Sequence, residues 1–325
     1  MRKALVVGID NYSNVPLSGC VNDANAIANV LRTNGDGSIN FSVRLLTSPS
    51  TTIDKVSLRK NIEILFAGKC NIALLYFSGH GFIKSTGGYL VTTDAKQYDE
   101  GVSMDEILTL ANESKIEDKV IILDCCHSGA AGTPRIVGNN IALLSEGLSV
   151  LTASRDSESA LEVNGSGVFT SLVVDALKGG AADLRGNITP GSIYAYVDEA
   201  LGAWDQRPIF KTNITRFTSL RTINPQVSLE TLRKIIEYFP SPKVEYQLDP
   251  SYEYTNTKIV EHNVIEPYAK VENVTIFKNL QKLESVGLVV PVGEEHMYFA
   301  AMHHKSCRLT ALGYQYWRLV NEKKI

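Results

Sequence analysis

The chain has 325 residues, enough for one large domain and one small domain that each bury a core. Its apolar fraction of 44% and charged fraction of 21% are typical of a soluble globular protein. A net charge of −3 excludes the basic character of a nucleic-acid-binding or polybasic membrane-binding chain, and no apolar run approaches the length of a transmembrane helix.

The chain carries five cysteines, an odd number, and the adjacent pair Cys125 and Cys126 cannot easily form a disulfide. This cysteine usage is typical of a reducing compartment, so we expect the protein to be cytoplasmic. The apolar run at residues 4–9 is too short for a signal peptide and meets Asp10 rather than a small-residue cleavage site. It is better explained as a first β-strand.

Apolar runs and turn residues predict alternating strands and helices over the first part of the chain. Strand patterns occur at residues 3–9, 41–46, 71–77, 87–91, 120–123 and 149–153. A first helical pattern follows Asn22 or Asp23, either of which can cap the helix. A second starts near residue 52, and further helical patterns occur at residues 104–112, 168–177 and 192–202. This alternation is typical of an α/β fold with a mostly parallel sheet and helices on both faces.

The character of the sequence changes near residues 224 and 225, and we predict two domains, 1–222 and 223–325. In the second domain we predict helices at residues 229–239, 275–286 and 309–320, strands at 288–291 and 296–302, and assign no structure to 240–268. Helix, two-stranded wing and helix give the outline of a small winged-helix-like α+β domain. The charged residues of its helix at 275–286 are the basic Lys278 and Lys282 and the acidic Glu284. This weak positive charge favours protein contact or regulation over DNA binding.

Two of the predicted strands stop abruptly at reactive side chains. The strand at 120–123 is followed by the sequence DCCHSG (residues 124–129), and the strand at 71–77 is followed by SGHG (residues 78–81). In open α/β sheets ligands bind beyond the carboxyl ends of the strands. The two strand ends are therefore the candidate functional site.

One strand end offers a cysteine and the other a histidine between two glycines. A thiolate attacks carbonyl carbon, and an imidazole near a cysteine lowers the pKa of the thiol. Glycine lets a backbone N–H group approach a substrate closely, as an oxyanion hole requires. The alternative is a buried free cysteine and a loop histidine with no joint role; the glycines around both strand ends favour the joint role.

These residues resemble a known family. YFSGHG (residues 76–81) and DCCHSG (residues 124–129) are similar to the paired signatures of the caspase/metacaspase superfamily of cysteine peptidases, and most similar to its metacaspase and bacterial caspase-like branch. The resemblance extends to GIDNY (8–12), GCVNDA (19–24), ASR (153–155), GVFT (167–170) and QRP (206–208). It implies a caspase-like α/β/α sandwich over about the first 220 residues.

The resemblance also implies catalytic roles. Cys126 matches the nucleophile of the family, and His80 matches its general base or acid. The backbone N–H groups of Gly81 and Cys126 match the oxyanion hole. Cys125 and His127 flank the nucleophile, and we interpret both as structural because adjacent side chains do not share a face.

The resemblance further implies an acidic specificity pocket. Metacaspases accept Arg or Lys before the cut, and the positions that match their pocket are Cys20, Asp23, Ser78 and Asp124. Two carboxylates in one pocket attract a basic side chain and disfavour an acidic one. The alternative interpretation of Asp23 is that it only caps the first helix. Arg135 lies in the loop where family members are often cut, and is either an autocleavage site or an ordinary surface arginine.

No metal or other cofactor is predicted. Some metacaspases bind calcium, and Asp94 and Asp105 fall near the corresponding positions, but two carboxylates are too few for an ion that takes about six to eight oxygens. We therefore do not predict a calcium requirement and leave the question open. A zinc site in the tail is also not predicted, because the spacing fits no common ligand pattern among the candidates His296, His303, His304 and Cys307.

The sequence thus predicts a cysteine endopeptidase that cleaves protein substrates after Arg or Lys through a thioester acyl-enzyme. By analogy with bacterial members we expect a regulated role in stress, defence or cell death. The expected partners are a protein with a basic residue before the cut and a protein regulator bound by the second domain; neither a membrane nor nucleic acid is expected. The alternatives are a catalytically idle caspase-like scaffold and a DNA-binding regulator.

Overall fold

The structure is a computed structural model. It describes residues 1–13, 15–84, 87–97, 99–125, 143–153, 166–201, 208–259 and 264–325, and the backbone alone at 162–163. The chain divides into two compact units, Met1–Asn224 and Pro225–Ile325.

The first unit alternates strands with helices. Its strands are β1 (Arg2–Gly8), β2 (Ser42–Thr47), β3 (Ile72–Ser78), β4 (Gly81–Lys84), β5 (Gly87–Lys96), β6 (Asp99–Ser103), β7 (Asp118–Asp124), β8 (Leu148–Thr152), β9 (Glu162–Val163), β10 (Ser166–Gly167), β11 (Asn187–Ile188), β12 (Ile209–Asn213) and β13 (Arg221–Thr222). Its helices are α1 (Cys20–Arg32), α2 (Lys55–Phe66), α3 (Met104–Glu113), α4 (Val168–Asp175), which continues into a π-helical turn at Ala176–Gly180, and α5 (Pro190–Leu201).

The central sheet has six strands in the order β12-β8-β7-β3-β1-β2. All neighbours are parallel except β12, which pairs antiparallel with β8. The predicted mostly parallel α/β fold is therefore confirmed. A smaller antiparallel sheet, β4-β5-β6, directly follows the end of β3.

Helices cover both faces of the central sheet. Because side chains alternate across a strand, Leu5 and Val7 of β1 pack toward α2 and α3, while Ala4 and Val6 pack toward α1, α4 and α5. Every residue of β3 is buried, as expected for a strand with helices on both sides. The result is a three-layer sandwich with two cores.

Helix α1 begins differently from the prediction. It starts at Cys20, so Asn22 and Asp23 lie within its first turn and neither caps it. The cap is Asp10, whose carboxylate accepts hydrogen bonds from the backbone N–H groups of Cys20 (2.8 Å) and Val21 (3.3 Å). These N–H groups have no partner within the helix, so a carboxylate from ten residues upstream satisfies them.

Helix α1 also packs unusually close to β1. A Cβ atom on Gly8 would lie 2.3 Å from the carbonyl oxygen of Cys20 and 2.7 Å from the Cβ of Ala24. Only glycine leaves room for this contact. The amino-terminal turn of α1 is thereby held against the end of the sheet.

The second unit is small and mixed. Its elements are α6 (Leu229–Arg233), α7 (Ile235–Tyr238), β14 (Tyr246–Gln247), a 3₁₀ turn (Pro250–Tyr252), α8 (Val271–Ser285), β15 (Val289–Val292), α9 (Met297–Met302), β16 (Ser306–Leu309) and α10 (Ala311–Asn321). The strands form an antiparallel sheet in the order β14-β16-β15.

Two predictions for this unit were wrong in detail. Residues 296–302, predicted as a strand, contain α9, because Met297, Ala300 and Ala301 are buried at helical spacing. Residues 229–239 form two short helices instead of one. Residues 240–268, to which no structure was assigned, contain a strand and a 3₁₀ turn. Since a helix separates β15 from β16, the winged-helix outline is not confirmed.

Within the described part of the chain, no helix combines the length and the apolar character needed to cross a lipid bilayer.

The capping role of Asp10 can be tested by substitution. We expect Asp10→Ala to lower the free energy of unfolding by about 1–2 kcal/mol, because two N–H groups of α1 lose their acceptor. Asp10→Asn should retain most of the stability, since asparagine also caps helices well. Urea denaturation of the full chain, followed by circular dichroism, measures both variants. Equal stability of Asp10→Ala and the wild type would refute the capping role.

Candidate active site

The site is built on one row of the central sheet. The register pairs Gly8 of β1 with Ser78 of β3, and Ser78 with Asp124 of β7. Because the strands are parallel, the segments that follow them emerge side by side at the same edge. His80 follows β3, and Cys125 follows β7.

Two carboxylates converge at this edge, and we call Asp23 and Asp124 the acidic pair. Both are almost fully buried, with exposed fractions of 3% and 5%. Asp23 accepts the backbone N–H of Gly167 at 3.0 Å. A Cβ atom on Gly167 would lie 2.5 Å from Oδ2 of Asp124 and 3.1 Å from Oδ2 of Asp23. The two carboxylates, from α1 and β7, therefore approach the same point beside Gly167.

A chain of hydroxyl groups orients Asp124. The hydroxyl of Thr170 donates to Oδ2 of Asp124 at 2.6 Å and lies 2.6 Å from the hydroxyl of Tyr76. Because the Thr170 proton is used toward Asp124, the Tyr76 hydroxyl is the donor to Thr170. Burial, followed by the charges of Asp124 and Asp23, raises the pKa of Tyr76 well above its usual value, so the phenol keeps this proton.

Cys20 and Ser78 complete the set of residues predicted for the specificity pocket. Burial raises the pKa of Cys20, and the charges of Asp10, Asp124 and Asp23 raise it further, while a hydrogen bond with Ser78 has the opposite effect. Cys20 therefore stays a neutral thiol and is a poor nucleophile. The structure brings Cys20, Asp23, Ser78 and Asp124 together at one edge of the sheet; their contact with substrate stays a prediction.

The imidazole of His80 is oriented by a backbone group. Its Nε2 lies 2.8 Å from the carbonyl oxygen of Val15. A carbonyl oxygen only accepts hydrogen bonds, so Nε2 carries the proton in the neutral ring. The lone pair is then on Nδ1, which can act as a base. The ring of Tyr12 packs against the imidazole, with 4.6 Å between ring centroids.

Tyr12 was not predicted as a site residue, although it belongs to the GIDNY segment. Its buried hydroxyl accepts the backbone N–H of His80 at 3.0 Å and donates to the carbonyl oxygen of Val91 at 3.2 Å. Burial raises the pKa of Tyr12, so the phenol stays protonated and can donate. A Cβ on Gly79 would lie 2.5 Å from this hydroxyl. Gly79 thus leaves the space that Tyr12 needs to hold His80.

The backbone N–H of Gly81 points away from the neighbouring strand. Gly81 pairs with Leu90 in the antiparallel β4–β5 ladder, and the N–H of Val91 donates to the carbonyl oxygen of His80 at 3.0 Å. This bond makes Gly81 and Leu90 a non-hydrogen-bonded pair, whose N–H groups are directed outward. The Gly81 N–H is therefore oriented so that it can serve as the donor predicted for the oxyanion hole.

The sequence matches the caspase domain family over residues 1–220. The chain belongs to the caspase domain family. This result confirms the resemblance found in the two signature motifs. No curated protein matches the chain significantly in sequence.

Solved structures with low sequence identity are similar to this chain. The protein GSU0716 of Geobacter sulfurreducens is 16% identical, with a TM-score of 0.50 over 69% of this chain and 98% of its own. Caspase-1 of Spodoptera frugiperda is 12% identical, with a TM-score of 0.49 over 68% of this chain and 90% of its own.

Some predicted site residues lie outside the described residues. These are the predicted nucleophile Cys126, its neighbour His127 and the autocleavage candidate Arg135. Cys125 is described: it is 1% exposed and packs in the core on the side of α2 and α3.

Two of the residues weighed as metal ligands, Asp94 and His303, have hydrogen-bond partners within the protein. Oδ1 of Asp94 accepts the N–H of Lys55 at 3.1 Å and the Thr92 hydroxyl at 2.7 Å. His303 pairs with Glu294 through its Nδ1 at 2.9 Å. Among the residues that the structure describes, no three His, Cys, Asp or Glu side chains are grouped so that they could hold a metal ion.

The role of Tyr12 leads to a stability prediction. We expect Tyr12→Phe to lower the free energy of unfolding by about 1–3 kcal/mol, because the N–H of His80 and the carbonyl of Val91 lose their partner. Tyr254→Phe is the control, since Tyr254 is exposed and its hydroxyl can be replaced by water. Urea denaturation of the full chain compares the two. If both variants were as stable as the wild type, the bridging role of Tyr12 would be wrong.

Proposed function

We propose that this caspase-family chain is a cysteine endopeptidase that cleaves proteins after Arg, and also after Lys, with Cys126 as the nucleophile and His80 as the base. The observation that carries the proposal is the acidic pair at the sheet edge where β3, the strand that precedes His80, ends. The family match supports the cysteine peptidase class. The specificity rests on the charges of Asp23 and Asp124.

A cationic side chain is the ligand that suits the acidic pair. Two carboxylates in a buried region repel each other, and a positive group placed beside them interacts favourably with both. Guanidinium presents several N–H donors in a planar fork, which suits two neighbouring carboxylates better than the point charge of Lys. We therefore expect Arg to be preferred over Lys, and an acidic residue to be rejected.

The reaction follows from the orientation of His80. Nδ1 takes the proton of the Cys126 thiol, and the thiolate attacks the carbonyl carbon before the cut. The N–H of Gly81, together with that of Cys126, stabilises the negative oxygen of the tetrahedral intermediate. The carbon–nitrogen bond then breaks as the imidazolium gives its proton to the leaving amine. Water, activated by the same imidazole, hydrolyses the thioester and restores the thiol.

We further propose that the enzyme acts in a regulated stress, defence or cell-death role and that the unit Pro225–Ile325 binds a protein regulator. The weak basicity of α8 supports a protein partner over DNA. Its Lys278 lies 5.6 Å from the ring centroid of Tyr254, so this cation already faces an aromatic ring of the same unit. An idle scaffold and a DNA-binding regulator are the competing functions.

The catalytic roles can be tested by three substitutions. We expect Cys126→Ala and His80→Ala each to abolish cleavage of an Arg-containing fluorogenic peptide, because each removes a reacting group. Cys125→Ala should retain most of the activity, since Cys125 packs in the core. An active Cys126→Ala together with a dead Cys125→Ala would reverse the assignment of the nucleophile. A wild type that cleaves no peptide would favour the idle scaffold.

The specificity can be tested with peptides that differ only in the residue before the cut. We expect the wild type to cleave Arg and Lys peptides and to leave the Asp peptide intact. Asp23→Asn should reduce kcat/KM for the Arg peptide more than about tenfold, because loss of one partner of a buried charge pair typically costs about 2–5 kcal/mol. Asp23 is a cleaner target than Asp124, which is two residues from the nucleophile.

Asp36→Asn is the matched control for Asp23→Asn, because Asp36 is an exposed carboxylate in the turn after α1. We expect this variant to cleave the Arg peptide like the wild type. A wild type that prefers the Asp peptide, or an Asp23→Asn variant with undiminished cleavage of the Arg peptide, would contradict the acidic-pocket specificity.

A further inference from the structure

A cavity of about 250 Å³ lies beside the imidazole of His80. Its walls, among the described residues, are chiefly Tyr12, Val15, His80, Phe82, Val91 and Ala95. Sites for whole small molecules usually measure about 300–1,000 Å³. This cavity is therefore of a size for one side chain rather than for a separate small molecule.

The walls of the cavity are mostly apolar. Val15 is 60% exposed and Phe82 is 43% exposed, so both present apolar surface to the solvent. Ser13, Thr92 and Thr93 add hydroxyl groups to the lining. The hydroxyls of Tyr12 and Thr92 have partners within the protein, since that of Tyr12 donates to the Val91 carbonyl and that of Thr92 donates to Asp94. A ligand that covers Val15 and Phe82 removes apolar surface from water, which favours binding of an apolar group.

The position of the cavity relates it to the leaving half of the substrate. Neither Asp23 nor Asp124 of the acidic pair lines it, whereas His80 and Gly81 do. The imidazole must reach the amine that leaves when the peptide bond breaks, so the residue after the cut lies on the imidazole side of the nucleophile. The residue before the cut is directed to the acidic pair. The two sites thus accept residues from opposite sides of the cut.

We infer that this cavity, the leaving-side subsite, binds an apolar side chain of the residue that directly follows the cut. The inference rests on the proposed peptidase function and adds a second requirement to it. The preferred substrate then carries a basic residue followed by an apolar residue such as Leu. A charged residue at the second position would lose contacts with water against the apolar side chains of Val15 and Phe82, which costs free energy.

The test uses quenched-fluorescence peptides that share one sequence before the cut, and this shared sequence ends in Arg. The residue after the cut is Ala, Leu, Phe or Asp. We expect kcat/KM for the Leu peptide to exceed that for the Ala peptide about tenfold, because one methylene in an apolar pocket typically changes the rate by a factor of about 10 or more and this cavity is partly open. The Asp peptide should be cleaved most slowly.

Two variants locate the effect in the cavity. Ala95→Phe places a large ring within the cavity, and we expect the Leu-to-Ala ratio to fall to about one. Lys96→Phe is the matched control: it introduces the same side chain at the next residue, which is exposed and does not line the cavity, and should keep the ratio. Phe82→Ser changes an exposed side chain and should also lower the Leu-to-Ala ratio. This variant replaces Ala95→Phe as the test if Ala95→Phe does not fold.

The outcomes separate the inference from the proposed function. If the wild type cleaves every peptide at the same rate, or prefers the Asp peptide, the leaving-side subsite is refuted while the peptidase function stands. If the Leu preference persists in both Ala95→Phe and Phe82→Ser, the cavity is not its source. If no peptide is cleaved at all, the proposed function fails and this inference fails with it.

Discussion

The parallel register of β1, β3 and β7 is the constraint on which the rest of the site depends. Because Gly8, Ser78 and Asp124 lie in one row, the segments after the three strands emerge next to one another. Helix α1 must approach the same row, and the missing side chain of Gly8 leaves room for the backbone of Cys20. A displaced α1 would separate Asp23 from Asp124 and from the segment after β3 that carries His80.

The carboxylates at this edge accept hydrogen bonds from backbone and side-chain groups of the same domain. Asp10 and Asp23 lie at the amino-terminal end of α1, where backbone N–H groups and the helix dipole favour carboxylates. Gly167 donates its N–H to Asp23, and Thr170 donates its hydroxyl to Asp124. The positions of the carboxylates are thus fixed by backbone and neighbouring hydroxyl groups, and the proposed pocket for a basic side chain requires such preorganisation.

The sequence contained enough information to predict the α/β fold and the strand ends that carry Ser78 and Asp124, because buried parallel strands read as continuous apolar runs. It could not indicate that Asp10 caps α1, since the acceptor and the helix are separated by a loop and share no local pattern. Tyr12 was missed for a similar reason, as its partners His80 and Val91 lie far along the chain. Residues 296–302 were misassigned because a short apolar run fits a strand and a helix equally well.

The partner of the His80 imidazole has a consequence for the evolution of this site. The carbonyl oxygen of Val15 belongs to the main chain, and every amino acid supplies the same group, so no substitution at this position removes it. Comparison of sequences would therefore not mark residue 15 as part of the site. What must be preserved is the path of the loop between Asp10 and α1, which is held by the bond from the N–H of Leu17 to the carbonyl oxygen of Asp10. Insertions and deletions in this loop, rather than substitutions, are the changes to which the orientation of the imidazole is sensitive.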